Sequence, residues 1–279
     1  MVLCGLLKRV IRVLAGNYSL VKTRVDPPLG WLVFSRPERL NAFNTSMMRE
    51  VLAALDELEG DEGVRFVAIT GEGKAFSAGI DLGELAEAGS PEEAERLFST
   101  LAMVVERILG LRKPVIMAVN GHAIGGGAEL LWAGDIVVAV RSARISWPES
   151  LWNLAPPFLP TLGPFVLGPA RAAYLALTAE PITAEEAYRM GLVSLLVDEP
   201  GQLEDAVNRV AEKIMASPPA AVESIVSMLR AGKRGWHTQL GVAELKRLSK
   251  DTTALQAAKS FKDTKRPPDY KSLWRTGKK

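Results

Sequence analysis

The chain has 279 residues, 48% of them hydrophobic, which is enough for one large domain, or a domain with an appendage, around a sizeable core. Its one cysteine, Cys4, excludes an intrachain disulfide and fits a reducing, cytoplasmic setting; its two histidines are too few for a histidine-rich metal site. The net charge of +2 hides an asymmetry: five Lys or Arg and no acid in residues 1–24, and eleven against three Asp in residues 246–279. Basic ends suit phosphates, whether of a nucleotide-bearing ligand, a membrane or RNA.

Met1 to Ala15 mixes apolar residues with Lys8, Arg9 and Arg12, as a targeting peptide does. Charge interrupts the apolar run and no small-residue cleavage site is clear, so residues 1–17 read as a peripheral extension. No apolar run in the chain reaches the ~20 residues of a membrane span. Tyr18 to Arg24, the turn Asp26-Pro27-Pro28-Leu29-Gly30 and Trp31-Leu32-Val33-Phe34 predict a hairpin. Asn44 can cap a helix whose apolar stripe is Met48, Val51, Leu52, Leu55 and Leu58. Arg65 to Thr70 reads as a buried strand and Gly71 to Leu82 as a long loop. Ser90, Pro91 and Glu93 predict a capped helix with Leu97, Leu101, Val104, Val105 and Ile108 as its stripe.

The chain is organised around Gly121-His122-Ala123-Ile124-Gly125-Gly126-Gly127-Ala128-Glu129-Leu130. The strand Pro114 to Val119 runs into it and the helical pattern Leu130-Leu131-Trp132-Ala133 runs out. A glycine-rich turn opening a helix leaves N–H groups bare at the positive end of the helix dipole, and Glu129 stands within reach of whatever they hold. Donors beside a carboxylate suit chemistry that creates an oxyanion while a proton moves. The glycine spacing fits neither a dinucleotide fingerprint nor a P-loop. Val67 to Gly71 and Ala118 to Gly121 repeat one pattern, a strand ending in a glycine loop, which predicts a solenoid-like winding.

Asp135 to Val140 is a further strand, and Arg144 to Glu149 an extended piece ending in Trp147-Pro148-Glu149. Ala155 to Pro160 carries three prolines and reads as irregular. Thr183 and Glu186 form a capping box, Leu192 to Val197 the last strand, and from Gln202 onward the pattern is helical with breaks at Ser217-Pro218-Pro219 and near Gly232 and Gly235.

Leu40-Asn41-Ala42, Lys74 to Leu82, Lys113 to Asp135, Trp147-Pro148-Glu149 and Ala187 to Val193 together resemble the crotonase superfamily, the enoyl-CoA hydratase/isomerase family. The resemblance covers Tyr18 to Lys271. It implies an α/β fold: a crotonase-like spiral of strand–strand–helix repeats over residues 18–201, with a C-terminal helical oligomerisation region over 202–279 that builds trimers or hexamers. It implies an acyl-CoA thioester as ligand, with the thioester oxygen between the N–H groups of Ile80 and Gly126. Glu129 and Glu149 fall at the catalytic glutamates, and Ala42, Ala78, Asp81, Leu82 and Gly125 at substrate-binding positions. Lys74 and the C-terminal lysines are candidates for the CoA phosphate.

Hydration of a 2-enoyl-CoA agrees with these residues: two N–H donors stabilise an enolate while two carboxylates move protons, with no metal or redox cofactor. Isomerisation needs only one base, and other CoA-thioester chemistry shares the same donors. RNA binding stands behind these readings, because the basic ends lack interleaved aromatics. Where the family has a glycine-rich turn after the second glutamate, this chain has Ala155 to Pro160. Phe158 and Leu159 are therefore expected to reshape an apolar acyl pocket, and Leu240, Val242, Leu245 and Leu248 to suit a subunit contact.

Overall fold

The computed structural model describes residues 11–14 and 16–271. Most of the extension at 1–17, including Cys4, and residues 272–279 lie outside the described residues. Arg12 does not: its backbone exchanges hydrogen bonds of 3.0 and 2.8 Å with Val25.

The hairpin forms as β1 (Val21–Asp26) and β2 (Leu29–Phe34). Asn44 caps α1 (Thr45–Gly60) by accepting from the Met47 N–H at 2.8 Å, and the helix buries its apolar face, Met48 to Leu58. After β3 (Phe66–Gly71), the stretch expected as one long loop contains β4 (Ala75–Ser77) and ends at the cap of α2 (Leu82–Glu87). Ser90 caps α3 (Pro91–Gly110) by accepting from the Glu93 N–H at 3.3 Å, and the Glu93 carboxylate accepts from the Gly89 N–H at 2.7 Å.

β5 (Val115–Val119) and β6 (His122–Ile124) lead into α4 (Gly126–Glu129), a single turn that continues as a 3-10 turn over Leu130–Ala133. A helix so short has little macrodipole, so its anion-binding power rests on bare N–H groups rather than on the dipole. β7 (Ile136–Val140) and β8 (Arg144–Ser146) follow, then a 3-10 turn at Glu149–Trp152. α5 (Leu159–Val166) begins inside the segment expected to be irregular, with Pro160 in its first turn, where a missing N–H costs nothing.

Next come α6 (Pro169–Thr178), β9 (Ile182–Thr183), α7 (Ala184–Arg189) and β10 (Leu195–Val197), with the Thr183–Glu186 capping box complete. The helices α8 (Leu203–Met215), α9 (Pro219–Lys233), α10 (Trp236–Ser249) and α11 (Thr252–Thr264) follow.

A six-stranded sheet runs β1-β2-β3-β5-β7-β10 and a four-stranded sheet β4-β6-β8-β9. Pairing is parallel except between β1 and β2 and between β8 and β9. Each winding thus lays one strand in each sheet, and successive glycine loops stack. Parallel strands buried on both faces read as continuous apolar runs, as Val115 to Val119 does.

The C-terminal helices close back on this core. α10 packs on α3 and α5, and α11 on α2. Leu245 is buried, Val242 and Leu248 pack partly buried against the core, and Leu240 is exposed. Most of the apolar residues expected at a subunit contact are therefore used within the chain. Arg230 of α9 is buried in an ion pair with Asp135 and also donates to the carbonyls of Leu111 and Lys113, pinning α9 to the spiral.

Candidate active site

The segment Arg36 to Phe43 is the frame on which the site is built. Asn41 is buried in a left-handed conformation (φ 56°), its amide donating to the carbonyls of Glu72 at 3.0 Å and Ala75 at 2.9 Å. Its Oδ1 accepts from the Arg36 N–H at 2.9 Å. Its carbonyl accepts from Ser77 Oγ at 2.8 Å, and that hydroxyl accepts from the Gly79 N–H at 3.1 Å. Phe43 donates to the Gly79 carbonyl at 2.6 Å and accepts from the Asp81 N–H at 3.0 Å. The backbone from 77 to 81 is thereby fixed on both sides of Ile80.

Gly79 has φ +79°, and a Cβ there would lie 2.6 Å from the Ile124 carbonyl oxygen and 2.7 Å from the Gly126 nitrogen. Only glycine admits this approach of two backbones. It brings the N–H groups of Ile80 and Gly126 side by side at one cleft. Among the hydrogen bonds of the described residues, neither is a donor.

Glu129 is fully buried, and its Oε2 accepts from the Phe158 N–H at 2.6 Å and its Oε1 from the Leu159 N–H at 3.4 Å. Glu149 is 8% exposed, and its Oε2 is buried with no hydrogen-bond partner. Burial pushes the Glu149 carboxyl up to about 8. Burial also raises Glu129, with the nearby Glu149 carboxyl adding to it, while the two N–H donors oppose the rise. Two such neighbours do not both ionise readily near neutral pH; the Phe158 and Leu159 amides steady a charge on Glu129 but do not reverse the rise of its carboxyl.

The cleft, about 800 Å³, is lined by every catalytic, oxyanion and substrate-binding position the resemblance marked: Ala42, Ala78, Ile80, Asp81, Leu82, Gly125, Gly126, Glu129 and Glu149. Asp81 faces it with its carboxylate already engaged, capping α2 through the Gly83 and Glu84 N–H groups at 2.8 and 3.3 Å and pairing with Arg36 at 2.6 Å. Burial pushes Asp81 up, but Arg36 and the capping amides outweigh it and hold the carboxyl below its usual range. Lys74 does not line the cleft; Arg39, Lys262 and Lys265 do. Arg36 and Arg39 sit in no motif, and only the fold brings them here.

Trp152, Leu154, Pro157, Leu101, Leu245 and Phe261 supply apolar wall, with Trp152 edge-on to Phe261 at 5.0 Å. Phe158 and Leu159 are absent from it. Their side chains are buried in the core, so the expectation that they add bulk to the acyl pocket is corrected. They meet the site through their backbone N–H groups. Trp147 likewise packs inward, against Trp132 at 6.0 Å. His122 lies outside the cleft, and its Nδ1 accepts from the Arg144 N–H at 3.2 Å.

Paired N–H donors held by two windings of a spiral, facing two buried carboxyls, define the crotonase class of enzyme. The Enoyl-CoA hydratase/isomerase family matches residues 29–273, and the chain belongs to that family. It is 32% identical over 214 residues to a probable enoyl-CoA hydratase of Bacillus subtilis, covering 76% of this chain and 83% of that one. It is 38% identical over 195 residues to a short-chain-enoyl-CoA hydratase of Clostridium acetobutylicum, covering 69% and 74%. Among solved structures, an enoyl-CoA hydratase of Bacillus anthracis superposes with a TM-score of 0.72 at 30% identity, covering 91% of this chain and 99% of that one.

Proposed function

We propose that the chain hydrates a 2-enoyl-CoA thioester to the 3-hydroxyacyl-CoA. The observation that carries this reading is the placement of two buried carboxyls and two bare N–H donors at one cleft. The thioester oxygen accepts from the Ile80 and Gly126 N–H groups, which stabilise the enolate as charge moves onto it; losing one such donor typically costs ~3 kcal/mol of barrier. Glu129, ionised and steadied by the Phe158 and Leu159 amides, takes a proton from water as its oxygen bonds to C3. Glu149, protonated near neutral pH, gives its proton to C2. Transfer of the proton from Glu129 to Glu149 resets the pair. The chemistry calls on no metal or redox cofactor, because coenzyme A is part of the substrate. Arg39, Lys262 and Lys265 supply positive charge for its phosphates.

The test is turnover of crotonyl-CoA and a 3-enoyl-CoA side by side in EDTA, followed by absorbance of the conjugated thioester. Glu129→Gln and Glu149→Gln should each lower kcat for hydration at least ~100-fold. Hydration left intact in Glu149→Gln would refute the two-carboxylate mechanism, and hydration lost with isomerisation kept would make Glu129 a lone isomerase base.

The working particle we infer is a trimer or hexamer. Supporting this, α9 exposes Ile225, Met228 and Leu229, an apolar face rarely left to water. Light scattering of the parent and of Met228→Glu should show a fall in mass; a monomeric parent would refute it. Among the described residues no helix is long and apolar enough to cross a membrane. We assign the chain to the cytoplasm on its single cysteine, and cell fractionation tests that.

A further inference from the structure

We propose that Gly241 is a positioning residue for the reaction: through it α10 sets the Pro157–Phe158 peptide, and that peptide sets the Glu129 carboxylate. This rests on the reading of Glu129 as a catalytic group.

Gly241 stands in the middle of α10, where glycine costs ~1 kcal/mol relative to alanine. Its backbone is not in the left-handed region, so no conformational need calls for glycine. Space does. A Cβ on Gly241 would overlap the Pro157 carbonyl oxygen and lie 2.6 Å from its carbon and 2.9 Å from the Pro157 Cα. These are backbone atoms, which cannot swing aside as a side chain tip can.

The same peptide unit reaches Glu129. The Pro157–Phe158 bond is trans, so its C=O and N–H point in opposite directions from one rigid plane. The oxygen end abuts Gly241, and the N–H end donates to Glu129 Oε2 at 2.6 Å. Thr161 Oγ1 donates to the Pro157 carbonyl at 3.0 Å, holding it from α5. Proline fixes φ at residue 157, which leaves the segment little freedom to absorb a push. A displacement at α10 is therefore delivered to the carboxylate, and the second amide, of Leu159, moves with it.

The experiment compares the full-length parent, Gly241→Ala, Ala243→Gly on the exposed side of α10, and Glu129→Gln. Unfolding midpoints and kcat, KM and pH profiles for crotonyl-CoA hydration are measured for each. Helix propensity alone makes Gly241→Ala more stable with unchanged kinetics. The proposal expects kcat to fall at least ~10-fold in Gly241→Ala while KM changes little, since small misplacements are costly to catalysis. It also expects the ascending limb of kcat against pH to move to higher pH, because Glu129 loses the amides that lower its pKa. Ala243→Gly should lose stability and keep the parental profile.

A parental kcat and limb in Gly241→Ala overturn the proposal, as does a loss of kcat with the limb unmoved, which is what general loosening produces. If Gly241→Ala does not accumulate folded, Thr161→Val releases the same carbonyl from its other side. A smaller limb shift in the same direction is then expected, and an unmoved limb overturns the proposal. Glu129→Gln separates the two readings: hydration retained there refutes the catalytic role itself, whereas an inactive Glu129→Gln beside a parental Gly241→Ala refutes only the positioning role.

Discussion

Glu149 should cost the fold stability as pH rises, and replacing it with glutamine should remove that cost. Burial lifts its carboxyl from 4.5 to about 8 in the folded chain. A group that holds its proton more tightly folded than unfolded stabilises the fold fully below the unfolded pKa and loses that stabilisation as pH rises through the folded one. At 1.36 kcal/mol per pH unit, the whole shift corresponds to about 5 kcal/mol. Roughly half of this falls between pH 5 and pH 7. Glu149→Gln has no proton to lose. The assay is urea unfolding of both proteins at pH 5, 6 and 7, at one protomer concentration and ionic strength. The glutamine brings a fixed offset of its own, so the informative quantity is the change with pH. The advantage of the variant should grow by about 2–3 kcal/mol from pH 5 to pH 7. Parallel stability curves would refute a buried, proton-holding Glu149, and with it the division of labour between the two glutamates.

Arg230→Ala should destabilise the fold by about 3 kcal/mol in the same unfolding assay, because it strips Asp135 of its buried guanidinium partner and leaves the Leu111 and Lys113 carbonyls without that donor; Arg230→Met should cost no less, since it also removes the charge. A loss under about 1 kcal/mol would mean that α9 is held by other contacts. Charge reversal at Arg39 and Lys265 together should raise KM for the CoA thioester and leave kcat nearly unchanged, with the penalty shrinking as salt is added. A fall in kcat with KM unmoved would place these residues elsewhere in the reaction.

What could be read in the sequence was what short-range chemistry determines. Asn44 and Thr183 announce helix starts because a side chain answers an N–H within three residues. Gly125 to Gly127 announce a close backbone approach, and the structure bears this out at Gly127, where a Cβ would lie 2.4 Å from the Ser77 carbonyl oxygen. β4 and β6 were hidden because three residues give no periodicity to detect. α5 was hidden because its prolines suggest a break, whereas Pro160 falls where a helix accepts one. Arg36 gains its partner Asp81 from 45 residues away, and Gly241 meets Pro157 only when α10 folds back. Neither partnership leaves a local mark. Asp81 shows the reverse difficulty: a residue recognised by motif has its carboxylate engaged in capping and pairing beside the cleft.

The pairing of β4 with β6 has a consequence for how such a chain can change. Ala75 lies beside His122 and Ser77 beside Ala123, so Ile80 and Gly126 are brought together by strand register rather than by the chain that connects them. The chain from α2 through the whole of α3 is an excursion that leaves the register after β4 and returns to it at β6. Insertions and deletions in that excursion can alter the walls of the cleft while the spacing of the donors stays the same. A slip of one residue between β4 and β6 would do the opposite, leaving the walls in place and separating the donors. In this architecture the tolerant and intolerant positions are interleaved along the chain, and one short parallel contact divides them.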